Sequence, residues 1–234
     1  MSKTVVMVGS LDTKGEEFAF AKKIIEQAGV KTLVIDFGVM GKPFFEPDVK
    51  REDVASAGGG DLAVLASGSH KDDAMKVMSK GLAVVVKKLY DEGKLDGILG
   101  MGGSGGTSIA TTAMRELPVG VPKLMVSTLG GGDVSAYAGT KDITFMPSVV
   151  DVAGINSISR RIYANAAGAI AGMVLAEAGE AGAVKPLITA SMFGNTTTCV
   201  NAAREIIEKE GYEVLVFHAT GTGGKTMESL IADG

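Results

Sequence analysis

Short β-branched and aliphatic runs alternate along this chain with longer segments whose apolar residues recur at helical spacing. Each short run ends in a loop of glycine and hydroxyl residues. This alternation constrains the fold more than any other feature, because parallel strands can be joined only by covering crossovers. Thr4–Val8 reads as a buried strand that breaks at Gly9, and Phe18, Ala21, Ile24, Ile25 and Ala28 then mark a helix stopped by Gly29. Thr32–Ile35 is the next strand. A longer connection with Pro43, Pro47 and Gly58–Gly60 carries short helical patches. The pattern then predicts a helix over Asp72–Tyr90, a strand over Gly97–Gly100, a helix to Arg115, and a strand over Lys123–Ser127. Ile143–Val150 is extended, interrupted by Pro147, and a small-residue helix covers Asn156–Ala178. Beyond a Gly/Ala linker at Gly179–Val184 come a strand (Leu187–Ser191), a helix (Thr197–Glu210), a strand (Glu213–Phe217) and a helix start near Gly224. The 33 glycines among 234 residues fit the many tight strand-to-helix turns of such a fold.

The expectation is a three-layer, Rossmann-like α/β parallel sheet over residues 1–182, with the start of a second, related domain over 183–234. A gapless shift of 182 residues supports the relation. It lays Ile24-Ile25-Glu26 on Ile206-Ile207-Glu208, Gly29 on Gly211, and the Gly9–Lys14 loop on Ser191–Thr196. On that reading the second module is cut short, and the chain is a piece of something longer.

Charge and cysteine usage remove several classes. A net charge of −4 with no basic cluster argues against a nucleic-acid partner. Cys199 is the only cysteine, so no intrachain disulfide framework exists, and a reducing compartment fits. The N-terminus lacks a signal-like segment, and no apolar run approaches the ~20 residues that span a bilayer. A soluble, cytoplasmic protein without membrane contact is expected.

The chemistry sits in the loops. Gly100–Thr107 follows a strand and opens a helix, and Gly102, Gly103, Gly105 and Gly106 would let backbone amides converge beside the hydroxyls of Ser104 and Thr107. An anion, usually phosphate, is what such a cradle at a helix start holds; a tight turn that needs glycine only for packing is the alternative. In Gly9–Lys14, Ser10 and Thr13 can donate, Lys14 can neutralise phosphate, and Asp12 can either hold Mg²⁺ through water or cap the helix. In the third loop Thr128, Gly130, Gly131 and Asp133 suit close approach of a sugar or ring, against a capped flexible connection. Arg160, early on the small-residue helix, either reaches a phosphate or is solvated.

Other candidates are weaker. Ala219–Thr226 nearly matches a phosphate loop but carries Ala219 in place of the first glycine and follows a second strand. His70 reads as a surface residue, and His218 as packed or solvated at a strand end. Cys199 reads as a small buried hydrophobe. No metal-ligand spacing is present, and no catalytic residue can be named.

Taken in order, Gly9–Lys14, Gly100–Thr107, Leu117–Asp133, Asp142–Arg161 and His218–Met227 resemble a known family. It is the uncharacterised protein family that includes the ATP-binding domain of the tomato mosaic virus resistance protein. The resemblance implies two Rossmann-like subdomains, ATP with Mg²⁺, and a homodimer. In plant members it implies a downstream barrel and inhibition of viral replication through a viral replication protein. It does not establish a reaction. Nucleotide binding is therefore the leading expectation, beside an ATP-dependent kinase, ligase or hydrolase, or an interaction module rigidified by nucleotide.

Overall fold

The computed structural model describes residues 2–67, 71–179 and 185–233. Contacts divide the chain into two compact units, Met1–Ala176 and Glu177–Gly234. The expected boundary at residues 182/183 and most of the Gly/Ala linker lie outside the described residues, as does His70.

In the first unit the elements run β1 (Thr4–Gly9), α1 (Leu11–Gln27), β2 (Lys31–Asp36), α2 (Arg51–Ala57), α3 (Leu62–Ala66), α4 (Lys71–Asp91) and β3 (Gly97–Gly102). They continue with α5 (Ser104–Met114), β4 (Lys123–Ser127), α6 (Ser135–Ala138), β5 (Thr144–Pro147) and α7 (Ser159–Leu175). The five strands form one sheet in the order β2-β1-β3-β4-β5, with every neighbour parallel. This is the Rossmann-like, doubly wound arrangement.

Alternation along the strands builds two cores. Val5 and Met7 of β1, Leu99 and Met101 of β3, and Leu124 and Val126 of β4 face α1 and α7. Val6, Val8, Ile98 and Met125 face α2, α4 and α5. Both faces are covered, so the strands read as continuous apolar runs rather than alternating ones.

The helix ends show how local chemistry sets boundaries. Asn156 Oδ1 accepts from the amides of Ile158 and Ser159, which starts α7 three residues later than its periodicity predicts. Lys123, fully buried at the start of β4, donates to the carbonyls of Pro118 and Val121 and to Asp142 Oδ1 at 2.7 Å. That ammonium ties the turn after α5 to the segment leading into β5.

The second unit contains β6 (Leu187–Met192), a 3-10 turn (Gly194–Thr196), α8 (Thr197–Lys209), β7 (Glu213–His218) and α9 (Gly223–Asp233). β6 and β7 pair in parallel. The 182-residue shift lays β2 on β7 residue for residue. Pairing differs by one position, since Thr4 faces Lys31 whereas Leu187 faces Glu213. Cys199 corrects its expectation: it is exposed. A two-stranded sheet gives α8 little to pack against, and no residue of α8 is buried. His218 packs its ring 6.1 Å from that of Phe193.

Candidate functional site

The strand order reverses between β1 and β3, whose carboxyl ends carry the first two predicted loops. In open α/β sheets that crevice is where ligands bind. A cavity of about 460 Å³ opens there. Ser10, Asp12 and Thr13 line one side, and Gly105 and Gly106 of the α5 start line another. The rest is apolar: Phe37, Val39 and Met40 after β2, Leu65 of α3, Met75 and Met78 of α4, and Ile109 of α5. Two of the three predicted loops therefore meet at one cavity.

The two helix starts are not equivalent. At α1 the Leu11 amide already donates to Asp36 Oδ1 at 3.0 Å, so a buried carboxylate occupies the position an anion would take. Asp36 also accepts from Gly38 N at 2.9 Å and from Arg51 Nε at 2.7 Å. Asp12 is drawn into the same network. Its Oδ2 accepts from Met40 N at 3.0 Å and Gly41 N at 3.1 Å, and lies 3.6 Å from Arg51 Nη1. Its side chain is 3% exposed. The carboxylate expected to cap α1 or hold Mg²⁺ instead anchors the Gly38–Gly41 segment, and Ser10 stands at the N-cap without a side-chain cap bond. Gly38 is required for this, because a Cβ there would sit 2.6 Å from Asp12 Oδ1. Gly9 is likewise a packing glycine, with its Cβ position 2.2 Å from the Phe18 ring. The amides of Leu11, Thr13 and Lys14 are thus taken, and the Gly9–Lys14 start is the less open of the two. Thr13 Oγ1 donates to Ser10 O, and Lys14, half-buried, has no ion-pair partner among the described residues.

At α5 the start is open. Gly103 is the N-cap, makes no side-chain cap bond, and no acidic residue stands in the first turn. The Thr107 amide closes onto Gly103 O. The amides of Ser104, Gly105 and Gly106 have no hydrogen-bond partner among the described residues. Such unpaired amides carry the positive end of the helix dipole.

The glycines of this loop divide by cause. A Cβ on Gly100 would lie 2.8 Å from Met125 Sδ, so packing demands that glycine. One on Gly102 would lie 3.3 Å from Gly106 Cα. At Gly103, Gly105 and Gly106 the nearest atoms are 3.8, 3.7 and 3.9 Å away, which is ordinary van der Waals contact. None of these three has a positive φ. Gly103, as the N-cap, stands where glycine is favoured over alanine, but the protein itself gives no reason for glycine at Gly105 or Gly106.

Other predicted residues lie elsewhere. Thr107 is fully buried, its Oγ1 2.7 Å from Ser127 Oγ, so it braces α5 on β4 rather than facing a ligand. Thr128 is exposed, and its amide donates to Gly102 O. Gly130 is a packing glycine against β5, its Cβ position 2.9 Å from Pro147 N, whereas nothing lies within 4 Å of a Cβ on Gly131. Asp133 Oδ1 accepts from Ser135 N at 2.9 Å, and the Ser135 hydroxyl and amide hold its carboxyl below the usual carboxylate range. None of this third loop lines the cavity. Arg160 stacks over Phe20, 5.2 Å from the ring centroid. In the second unit Gly223 is a packing glycine, its Cβ position 1.7 Å from His218 O.

Asp36, Arg51 and the methionine wall were not foreseen. Asp36 ends a strand two residues before Gly38, which is a faint signal; Arg51, in a proline-bearing connection, gives none. Among the described residues no group of three or more His, Cys, Asp or Glu side chains is arranged to hold a metal. No helix of the described residues is long and apolar enough to cross a membrane.

The chain matches the Uncharacterised protein family (UPF0261) N-terminal domain over residues 3–179 and the corresponding C-terminal domain over 185–234. It is similar to a UPF0261 protein of Clostridium tetani, 53% identical over 234 residues, covering 100% of this chain and 58% of that protein. It is also similar to the ToMV resistance protein Tm-1(GCR237) of Solanum lycopersicum, 46% identical over 166 residues, covering 69% of this chain and 22% of that protein. The chain spans less than three-fifths of the length of the curated bacterial relatives it matches. Among solved structures it is similar to a UDP-N-acetylglucosamine 2-epimerase of Rickettsia bellii, at 12% identity and a TM-score of 0.38, covering 98% of this chain and 65% of that one.

Proposed function

The chain belongs to the uncharacterised protein family UPF0261, and on that premise we propose that it binds a phosphate-bearing nucleotide, ATP foremost, at the β1/β3 crevice. One observation carries the reading: Gly105 and Gly106 stand in the first turn of α5 where a Cβ would fit, beside three unpaired amides. Glycine in a helix costs up to ~1 kcal/mol relative to alanine. A guest whose oxygens approach the main chain accounts for that cost. The amides of Ser104, Gly105 and Gly106 take the phosphates, with Ser10 on the opposite side of the cavity, which Lys14 does not line.

The described carboxylates do not fit a protein-held Mg²⁺, because Asp12 is buried against Arg51 and two amides. Mg²⁺ enters this proposal as the counter-ion of ATP itself. The homodimer implied by the family resemblance, and a cytoplasmic location, belong to the same proposal. Sedimentation at several concentrations tests the dimer.

Calorimetric titration of Mg·ATP tests the binding. Gly103→Val, whose Cβ clears every neighbour by 3.8 Å or more, is expected to keep the fold and lose the affinity. Unchanged affinity in a folded Gly103→Val protein would count decisively against the proposal.

A further inference from the structure

We infer that the apolar wall of this cavity holds the nucleotide base by contact alone, so that the site accepts adenine and guanine nucleotides with little discrimination. The inference rests on the nucleotide reading above and adds the recognition rule for the base.

Telling the two purines apart requires polar groups free to meet the ring edge: a donor facing adenine N1 or guanine O6, and an acceptor facing guanine N1–H. A site with such groups rejects the wrong base strongly, because its buried polar atoms are then left unpaired. The strip after β2 has spent most of its donors. Of the five amides from Phe37 to Gly41, Phe37 N donates to Gly9 O, Gly38 N to Asp36 Oδ1, and Met40 N and Gly41 N to Asp12 Oδ2. Only Val39 N is left among them. The carboxylate that could accept from guanine is Asp12, whose Oδ2 is occupied by those two amides and faces Arg51, and whose side chain is turned in from the cavity surface. Thr13 Oγ1 is turned onto Ser10 O.

What the wall does present is thioether and aliphatic surface. Met75 Cε lies 3.7 Å from the Cβ position of Gly105, so the methionine begins where the amide cradle ends. Met78 is buried behind it, and Met40 on the rim is 74% exposed, a large apolar side chain with little of the protein covering it. Methionine is unbranched and polarizable, and it packs against aromatic faces without demanding a particular edge. A ring seated between Met40 and Met75, its phosphates reaching the start of α5, uses both ends of the cavity.

The test is calorimetric titration of the whole chain with Mg·ATP, Mg·GTP and magnesium tripolyphosphate, repeated on Met40→Ser and Met75→Ser. ATP and GTP should bind within about fivefold of each other, and tripolyphosphate at least about thirtyfold more weakly, because it forgoes the apolar contact. Met40→Ser, at an exposed position, should weaken both nucleotides by about three- to tenfold and leave tripolyphosphate unchanged. ATP preferred over GTP by fiftyfold or more, on the order of an edge-reading site, overturns the inference and leaves the nucleotide proposal standing. Tripolyphosphate as tight as ATP also overturns it, since the base then contributes nothing. No binding of any of the three overturns both.

Discussion

Replacing Gly105 by alanine should make the protein more stable and a poorer binder at once. The residue is the second of α5, and its added Cβ would meet only Met75 Cε, at 3.7 Å. No strain opposes the change, because φ is not positive there. Removing glycine's extra freedom in the unfolded chain and improving helix propensity should stabilise by about 0.5–1 kcal/mol. For a unit of this size that raises Tm by roughly 1–4 °C. The same methyl group projects into the cavity between the amides and Met75, so Mg·ATP affinity should fall by about tenfold or more, since one lost close contact of ~1.4 kcal/mol is already tenfold. Gly9→Ala is the control. Its Cβ position is 2.2 Å from the Phe18 ring, and such overpacking should cost about 1–3 kcal/mol. Differential scanning calorimetry without ligand, followed by titration, reads both effects. If Gly105→Ala lowers Tm, the glycine serves the fold. If Tm rises and affinity is untouched, the glycine serves neither fold nor ligand, and the reasoning fails.

Three further outcomes are expected. Arg51→Met leaves the buried carboxylates of Asp36 and Asp12 without their cation and should cost about 3–5 kcal/mol in urea unfolding; a loss under ~1 kcal/mol would show that the pairing is dispensable. Thr107→Val removes the hydroxyl partner of buried Ser127 and should cost about 1–2 kcal/mol, whereas Thr107→Ser should retain most of it; equal losses would deny the hydroxyl bridge. At Asp142 burial pushes the carboxyl up, but the Lys123 ammonium and the Gly120 amide outweigh it and hold it below the usual range. A depressed folded value means that the stabilisation is complete above the ordinary carboxylate value and fades as pH falls through the folded one. Asp142→Asn should therefore flatten that acid limb, and an unchanged pH dependence of unfolding would refute the assignment.

Most of the sheet was legible because both of its faces are covered, which turns each strand into an apolar run bounded by glycine. The strand Lys123–Ser127 matches its predicted bounds for that reason, and α4 runs within a residue of prediction at each end. Boundaries set by side chains from distant segments were not legible. Local reading offered Asp12 as a cap for α1, whereas Asp36, 25 positions away from Leu11, supplies it. Cys199 shows a different failure. An apolar stripe on a helix implies a partner face, and among the described residues the second unit has only two strands to provide one. At the site, counting glycines located the α5 loop but could not separate Gly100, needed against Met125, from Gly105, which nothing in the protein requires. Only the space around each missing Cβ makes that distinction.

The Asp36–Arg51–Asp12 network has a kinetic meaning as well as a structural one. Because it fastens the Gly38–Gly41 strip to the first turn of α1 before any guest arrives, capture requires no main chain there to become ordered. Association should then run near the rate at which solute and crevice meet, with the length of stay, rather than the speed of entry, setting affinity.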